Sequence, residues 1–303
     1  MDRKNIGDLM NTAWKKGLLI PGFNIPYLPM MEPVVNALET TNSFGLIMVA
    51  RLEWIKFEAK GLKEIRNEYE KVKNERHTRL HLDHVPVIDE DLKRVDFIHD
   101  IKSALDLGYE SVMIDGSRLS LEENIKTTRQ IVEIAGKYKV PVEAELGAIP
   151  GHEEGPLPPY DELYRSGKGF TDVQETGIFV RETGTDWLSV AIGNIHGPIS
   201  KVQRSKEKTA ARLNTNHLKK LQTAANIPLV LHGGTGIRKE NLMEAMKMGI
   251  AKINIATAIR KPYEQAENIH EGQQAVFDTV VDIIKNFLEI ENISKILYPD
   301  NKS

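Results

Sequence analysis

Eight short apolar runs recur along the chain, most of them followed by a stretch with helical spacing, and this alternation restricts the folds open to it. The runs are LLIPGFN (18–24), GLIMVA (45–50), RLHLDH (79–84), SVMIDG (111–116), VPVEAELG (140–147), WLSVAIGN (187–194), IPLVLHGG (227–234) and AKINIAT (251–257). Most are too apolar for a strand with one wet face, so they read as parallel strands covered on both sides. Between them, MMEPVVNALETT, FIHDIKSALDLG, EENIKTTRQIVEIAGKY, TDVQETGIFVRETG, NHLKKLQTAAN and KENLMEAMKMG carry apolar residues three and four apart. Gly108, Gly184 and Gly249 close three of these stretches, where a helix ends on a residue that tolerates positive φ. Eight βα units with no break in composition predict one α/β domain over 1–303, a single (β/α)8 TIM barrel. The competing arrangement is a doubly wound open sheet, but the chain has no early Gly-rich dinucleotide fingerprint.

Three segments depart from the rhythm. Residues 51–78 are long and charged and read as a helix with solvated faces. Residues 148–170 form a Gly/Pro-rich stretch after the fifth run and are expected to be a long loop at the active site. The stretch from Pro262 to Ile290 reads as one or two helices closing the barrel.

Composition removes several functional classes. The 303 residues hold 40 Lys+Arg against 43 Asp+Glu, a net charge of −3, without the basic excess of a dedicated nucleic-acid binder. Apolar residues at 41% and charged residues at 27% exclude wholesale disorder. With no cysteine there is no disulfide scaffold, Cys-ligated zinc, iron–sulfur cluster or thiol nucleophile. No run approaches the ~18 apolar residues of a membrane helix. The opening MDRKNIGDLMNTAWKKGLLIPGFN has no uninterrupted apolar core, so no signal peptide is expected and a cytoplasmic location is compatible.

In a barrel the chemistry sits at the C-terminal ends of the strands. Here those ends carry Asp83-His84, Asp115, Glu145, Asn194-Ile195-His196-Gly197, His232-Gly233-Gly234-Thr235-Gly236 and Asn254-Ile255-Ala256-Thr257. A lone strand-end histidine is more often a structural hydrogen-bonder, but His84, His196 and His232 end three strands together. Three imidazoles at one mouth suit a catalytic zinc with an open position for substrate. Asp115 and Glu145 either bind a second cation, orient the histidines, or serve as ordinary hydrogen-bonding groups of the mouth. Alternation puts His81 on the face of Asp83, behind the site. LHGGTG (231–236), which ends a strand and opens a helix, offers backbone N–H groups to a phosphate, or is a plain tight turn; Asn254 and Thr257 adjoin it. No lysine ends a strand, and Lys252 lies early in the eighth, so a Schiff-base mechanism is not expected.

These motifs, in this order, resemble the class II, metal-dependent ketose-bisphosphate aldolases over nearly the whole chain, from PGFN (21–24) to NIATAIR (254–260). LHLDH (80–84), SVMIDGS (111–117), VEAELG (142–147), AIGNIHG (191–197) and LHGGTG (231–236) carry the resemblance. It implies that His84, His196 and His232 hold zinc, with Asp115 and Glu145 as carboxylates near the metal and room for a second divalent or a monovalent cation. It implies that Asp83 handles the proton of the C4 hydroxyl. Glu153, or its neighbour Glu154, would move a proton on the dihydroxyacetone phosphate carbon. Gly197, Gly234, Thr235, Asn254 and Thr257 would cradle the C1 phosphate, and Arg260 the far phosphate.

The implied activity is reversible cleavage of a ketose 1,6-bisphosphate, tagatose or fructose, to dihydroxyacetone phosphate and glyceraldehyde 3-phosphate, by a cytoplasmic homodimer or homotetramer. Some positions depart from the family pattern. Ala256 replaces the aspartate usual in fructose-bisphosphate members and resembles the tagatose branch. Arg51-Leu52-Glu53-Trp54 is bulky where the family is small, Pro198-Ile199-Ser200-Lys201 replaces Tyr-Lys, and Val85 replaces a glycine. An aldolase for another phosphorylated sugar or sugar acid, or a non-catalytic sugar-phosphate-binding barrel, are the alternatives.

Overall fold

The computed structural model describes residues 4–147, 149, 159–194 and 211–299, with the backbone alone at 235. All eight apolar runs are strands: β1 (Ile20–Asn24), β2 (Gly45–Ala50), β3 (Thr78–Pro86), β4 (Ser111–Asp115), β5 (Val142–Leu146), β6 (Trp187–Val190), β7 (Leu229–Leu231) and β8 (Ile250–Ile255). They pair in sequence order, all parallel, and β8 closes on β1 through Ile20↔Lys252 to Phe23↔Ile255. This is the (β/α)8 barrel, and the open sheet is excluded by that closing ladder.

The amphipathic stretches are the outer helices, at Met31–Thr40, Phe97–Asp106, Leu121–Gly136, Val173–Thr183, Thr215–Ala225 and Lys239–Met246. Their apolar stripes (Ile101, Ala104 and Leu105 in one, Leu218, Leu221 and Ala225 in another) are buried against the barrel. Gly108, Gly184 and Gly249 have φ of 80°, 67° and 99°, the left-handed exit expected of them.

The charged segment 51–78 is two helices, Arg51–Lys56 and Leu62–Val72, not one. The break has a cause: Glu58 N–H donates to Pro26 O at 3.0 Å, drawing the chain to the end of β1, and Lys60 turns at φ 69°. The described part of 148–170 is not all loop, for Tyr160–Ser166 is a helix. The Tyr160 hydroxyl, with oxygens of Gly193 and Arg212 at 3.0 and 3.2 Å, pins that helix to the chain beyond β6. The C-terminal region holds helices Thr257–Gln265 and Ile269–Asp282, a π-turn Ile283–Phe287 and a short helix Ile293–Leu297. A further helix, Ile6–Lys16, precedes β1 and buries Ile6, Leu9, Met10 and Ala13, apolar residues three and four apart. At that end of the barrel the buried Arg79 donates to Lys4 O and the Tyr298 hydroxyl at 3.0 and 2.7 Å, tying both ends of the described chain to β3. No helix among the described residues is long and apolar enough to cross a membrane.

Candidate active site

The barrel places inward-facing side chains two residues apart, because successive strand residues point to opposite faces. His81 and Asp83, Glu143 and Glu145, and Lys252 and Asn254 are three such pairs, and all six side chains are buried. Asp83 and His84 are consecutive, yet both reach polar partners at the mouth. A bulge makes this possible: the β3–β4 register slips by one residue between Leu82 and Val85. His84 sits in that slip at φ 28°, a strained conformation for a residue with a Cβ, and strain of this kind gathers at functional sites.

Each proton-handling group is held from several strands. Asp83 accepts from Asn24 Nδ2 through Oδ2 and from Asn254 Nδ2 through Oδ1, both at 2.9 Å. His84 Nδ1 lies 3.1 Å from Asp115 Oδ2 and 3.9 Å from Glu145 Oε2. His232 Nδ1 is 3.4 Å from Glu145 Oε2, and its Nε2 is 3.0 Å from Glu143 Oε1. The two imidazoles meet edge to face with centroids 4.4 Å apart. Donor atoms of Asp83, His84 and His232 all lie within 4.8 Å of one another, as do those of His84, Asp115 and Glu145. Imidazole and carboxylate donors at this spacing fit a borderline divalent cation such as zinc.

The charges sort themselves. Burial works against ionising Asp83, but His84, His81 and Lys252 hold its carboxyl well below the usual range. Burial also disfavours charge on His84, yet Asp83, Asp115 and Glu145 outweigh it and raise the ring to about 10. Burial, with the His84 charge beside it, holds His232 down to about 4. Glu143 is buried too, but Lys252 brings it down to about 2. Burial and the Asp115 charge push Glu145 well above the carboxylate range. The arrangement therefore offers an ionised carboxylate, Asp83, within 4.8 Å of His232, a neutral imidazole able to bind a metal.

The other predicted residues divide. Gly234 opens a tight turn after β7, where a Cβ would lie 2.5 Å from the Ile253 side chain and 3.0 Å from Asn254 O. Thr257 is the first residue of the helix after β8. Arg260 is bound to both oxygens of Glu264 at 2.9 and 3.0 Å and lies over Phe57, so a phosphate would have to displace a carboxylate there. Arg51 is likewise engaged, with Asp100 at 3.0 Å and Asp89 at 3.9 Å. Glu153, Glu154, His196 and Gly197 lie outside the described residues, as does the Thr235 side chain.

Four site residues carried no assignment from sequence: Asn24, Glu53, Glu143 and Lys252. Glu53 Oε2 accepts the Ala50 N–H at 2.7 Å and faces Asn24 Nδ2 at 3.5 Å, so Asn24 links it to Asp83. Burial pushes Glu53 up to about 8, against the lowering effect of the Ala50 bond. Because the folded chain keeps this proton and the unfolded chain releases it near 4.5, its contribution to stability is complete below that value. The contribution is lost as pH rises towards about 8. Glu53→Gln keeps an acceptor for Ala50 and has no proton to lose. The variant is expected to gain on the order of a few kcal/mol over the parent between pH 5 and pH 8, at about 1.4 kcal/mol for each tenfold change in proton affinity. Urea midpoints at the two pH values measure it; parallel slopes for both proteins would refute the assignment.

Comparison with known proteins gives a consistent answer. The sequence profile of the family described as fructose-bisphosphate aldolase class-II matches residues 4–293. A fructose-bisphosphate aldolase of Geobacillus stearothermophilus is 29% identical over 310 residues, covering 95% of this chain and 97% of its own. A 6-phospho-5-dehydro-2-deoxy-D-gluconate aldolase of Shouchella clausii is 35% identical over 223 residues, covering 69% of this chain and 67% of its own. The solved structure of the YdjI aldolase from Escherichia coli K12 matches with a TM-score of 0.72 at 27% identity, over 94% of this chain and 97% of that one.

Proposed function

The chain belongs to the class-II fructose-bisphosphate aldolase family, it is an aldolase, and from that premise we propose that its substrate is a ketose 1,6-bisphosphate, tagatose or fructose. The products are dihydroxyacetone phosphate and glyceraldehyde 3-phosphate, and the reaction runs in both directions. The family is metal-dependent, and we assign zinc, held by His84, His196 and His232 with Asp115 and Glu145 beside it. The same reading makes the enzyme a cytoplasmic homodimer or homotetramer.

One observation carries the proposal: an ionised carboxylate, Asp83, adjoins His84 and lies within 4.8 Å, donor atom to donor atom, of both His84 and His232. Asp83 takes the proton of the C4 hydroxyl as the C3–C4 bond breaks. Asn24 and Asn254 keep its two oxygens in place, each leaving a lone pair for that proton. A divalent cation in the cluster would supply positive charge opposite the negative charge that develops on the three-carbon fragment. Glu153 then returns a proton to that fragment, and Gly197, Gly234, Thr235, Asn254 and Thr257 hold its phosphate. The family rules against the purely binding barrel.

A second reading, an aldolase for another phosphorylated sugar or sugar acid, draws support from the Shouchella clausii relative and from Ala256. The test is product formation by the purified, zinc-loaded protein, with fructose and tagatose 1,6-bisphosphates offered side by side and dihydroxyacetone phosphate detected. Cleavage of one or both is expected, lost with a chelator and restored by zinc. No cleavage of either by folded, zinc-bound protein would overturn the bisphosphate assignment and favour the second reading.

A further inference from the structure

Beneath the mouth, Lys252, Glu143 and His232 form a line that ends at the candidate metal site. Lys252 Nζ donates to Glu143 Oε2 at 2.7 Å, and Glu143 Oε1 lies 3.0 Å from His232 Nε2. Lys252, Glu143 and His232 are each 0% exposed, so solvent does not compete for these bonds. The line draws on β8, β5 and the end of β7, and closure of the barrel brings them together.

A carboxylate ion-paired to an ammonium has no hydrogen to give. The imidazole must therefore be the donor, through Nε2. In a neutral ring this leaves the lone pair on Nδ1. Nδ1 is the nitrogen on the side of Glu145, 3.4 Å away, and Glu145 in turn is 3.9 Å from His84. The opposite tautomer would set a lone pair of the ring against the carboxylate. Lys252 matters because it occupies Oε2 and so leaves Oε1 for the ring.

We propose that Glu143, clamped by Lys252, is a positioning residue that fixes His232 as its Nε2–H tautomer and so presents Nδ1 to the catalytic divalent cation. The proposal rests on His232 being a metal ligand. A pair that only stabilised the barrel would leave both the tautomer and the metal affinity unchanged.

The full-length protein labelled with 15N-histidine gives the tautomer from its ring nitrogen shifts, and competition with a chromophoric chelator gives the zinc affinity. The parent is expected to carry its proton on Nε2 of His232, and zinc is expected to move the Nδ1 signal. Glu143→Ala is expected to weaken zinc binding by about 10- to 100-fold, the usual effect of removing such a partner, and to abolish the tautomer preference. The double variant Glu143→Leu/Lys252→Met removes the acceptor of the ring, leaves neither charge of the pair behind and guards against misfolding. Without the clamp its affinity should still fall by about 10-fold. A zinc-induced shift at Nε2, or parental affinity in a folded Glu143 variant, would overturn the proposal. His232→Ala assigns the signals and tests the premise separately: if it binds zinc as the parent does, the ligand assignment itself fails.

Discussion

Asp83→Ala is expected to lower kcat by about 10²- to 10⁴-fold, the range for a positioned general base, while KM changes little. The expectation rests on position and charge together. Asp83 is 1% exposed, ionised and fixed by two asparagine amides, so it is preorganised for proton transfer. Alanine is the cleaner substitution. Asparagine would set an amide N–H₂ against the donating amide of Asn24 or Asn254, adding a buried donor–donor clash to the loss of the base. Alanine leaves those two amides short of an acceptor, so the fold must be monitored by thermal melting in parallel. Calorimetric titration with dihydroxyacetone phosphate separates binding from chemistry. A folded variant that binds normally and turns over at the parental rate would remove Asp83 from the mechanism.

What could be read without coordinates followed from what a barrel does to sequence. Strands covered on both faces become continuous apolar runs, so all eight were legible, with Gly108, Gly184 and Gly249 marking helix ends. The mouth was legible as well, because polar residues at the ends of apolar runs stand out: Asp83, His84, Asp115, Glu145, His232 and Asn254 all meet there. Glu143 and Lys252 were harder. They lie in mid-strand, where a charge is surrounded by apolar neighbours, and their partnership spans 109 positions of sequence. The signal was the spacing: each sits two residues before a mouth residue, Glu145 and Asn254, and so on the same face. Glu53 was obscured because segment 51–78 read as one solvated helix. Only the turn at 57–61 separates off the first helix, which lies against β2 and β3 with Glu53 inward. Arg260 shows the converse, since a basic residue in the right motif gives no sign that Glu264, four residues on, already holds it.

Lys252→Met is expected to destabilise the fold by about 3–5 kcal/mol, the cost of leaving one member of a buried ion pair without the other. Glu143 would lose the ammonium that holds it down, and in a wholly enclosed site it must then either carry an uncompensated charge or take up a proton, each at a cost, with His81 Nε2 3.7 Å from the oxygen that Lys252 now occupies. The double variant Glu143→Gln/Lys252→Met removes both charges at similar volume and should recover most of that loss, because replacing a buried pair whole is often close to neutral. Urea unfolding of the parent, both single variants and the double variant closes a thermodynamic cycle. A single-variant loss under about 1 kcal/mol, the usual ceiling for exposed pairs, would show that the pair is not insulated as its burial indicates. The cycle also bears on why the barrel holds these charges at all. If the double variant matches the parent in stability, stability does not account for a lysine and a glutamate in an apolar strand layer. Their geometry then bears on the site itself: on the orientation of His232, which lies within hydrogen-bonding distance of Glu143, and on the charge of Asp83, 3.9 Å from Lys252 Nζ.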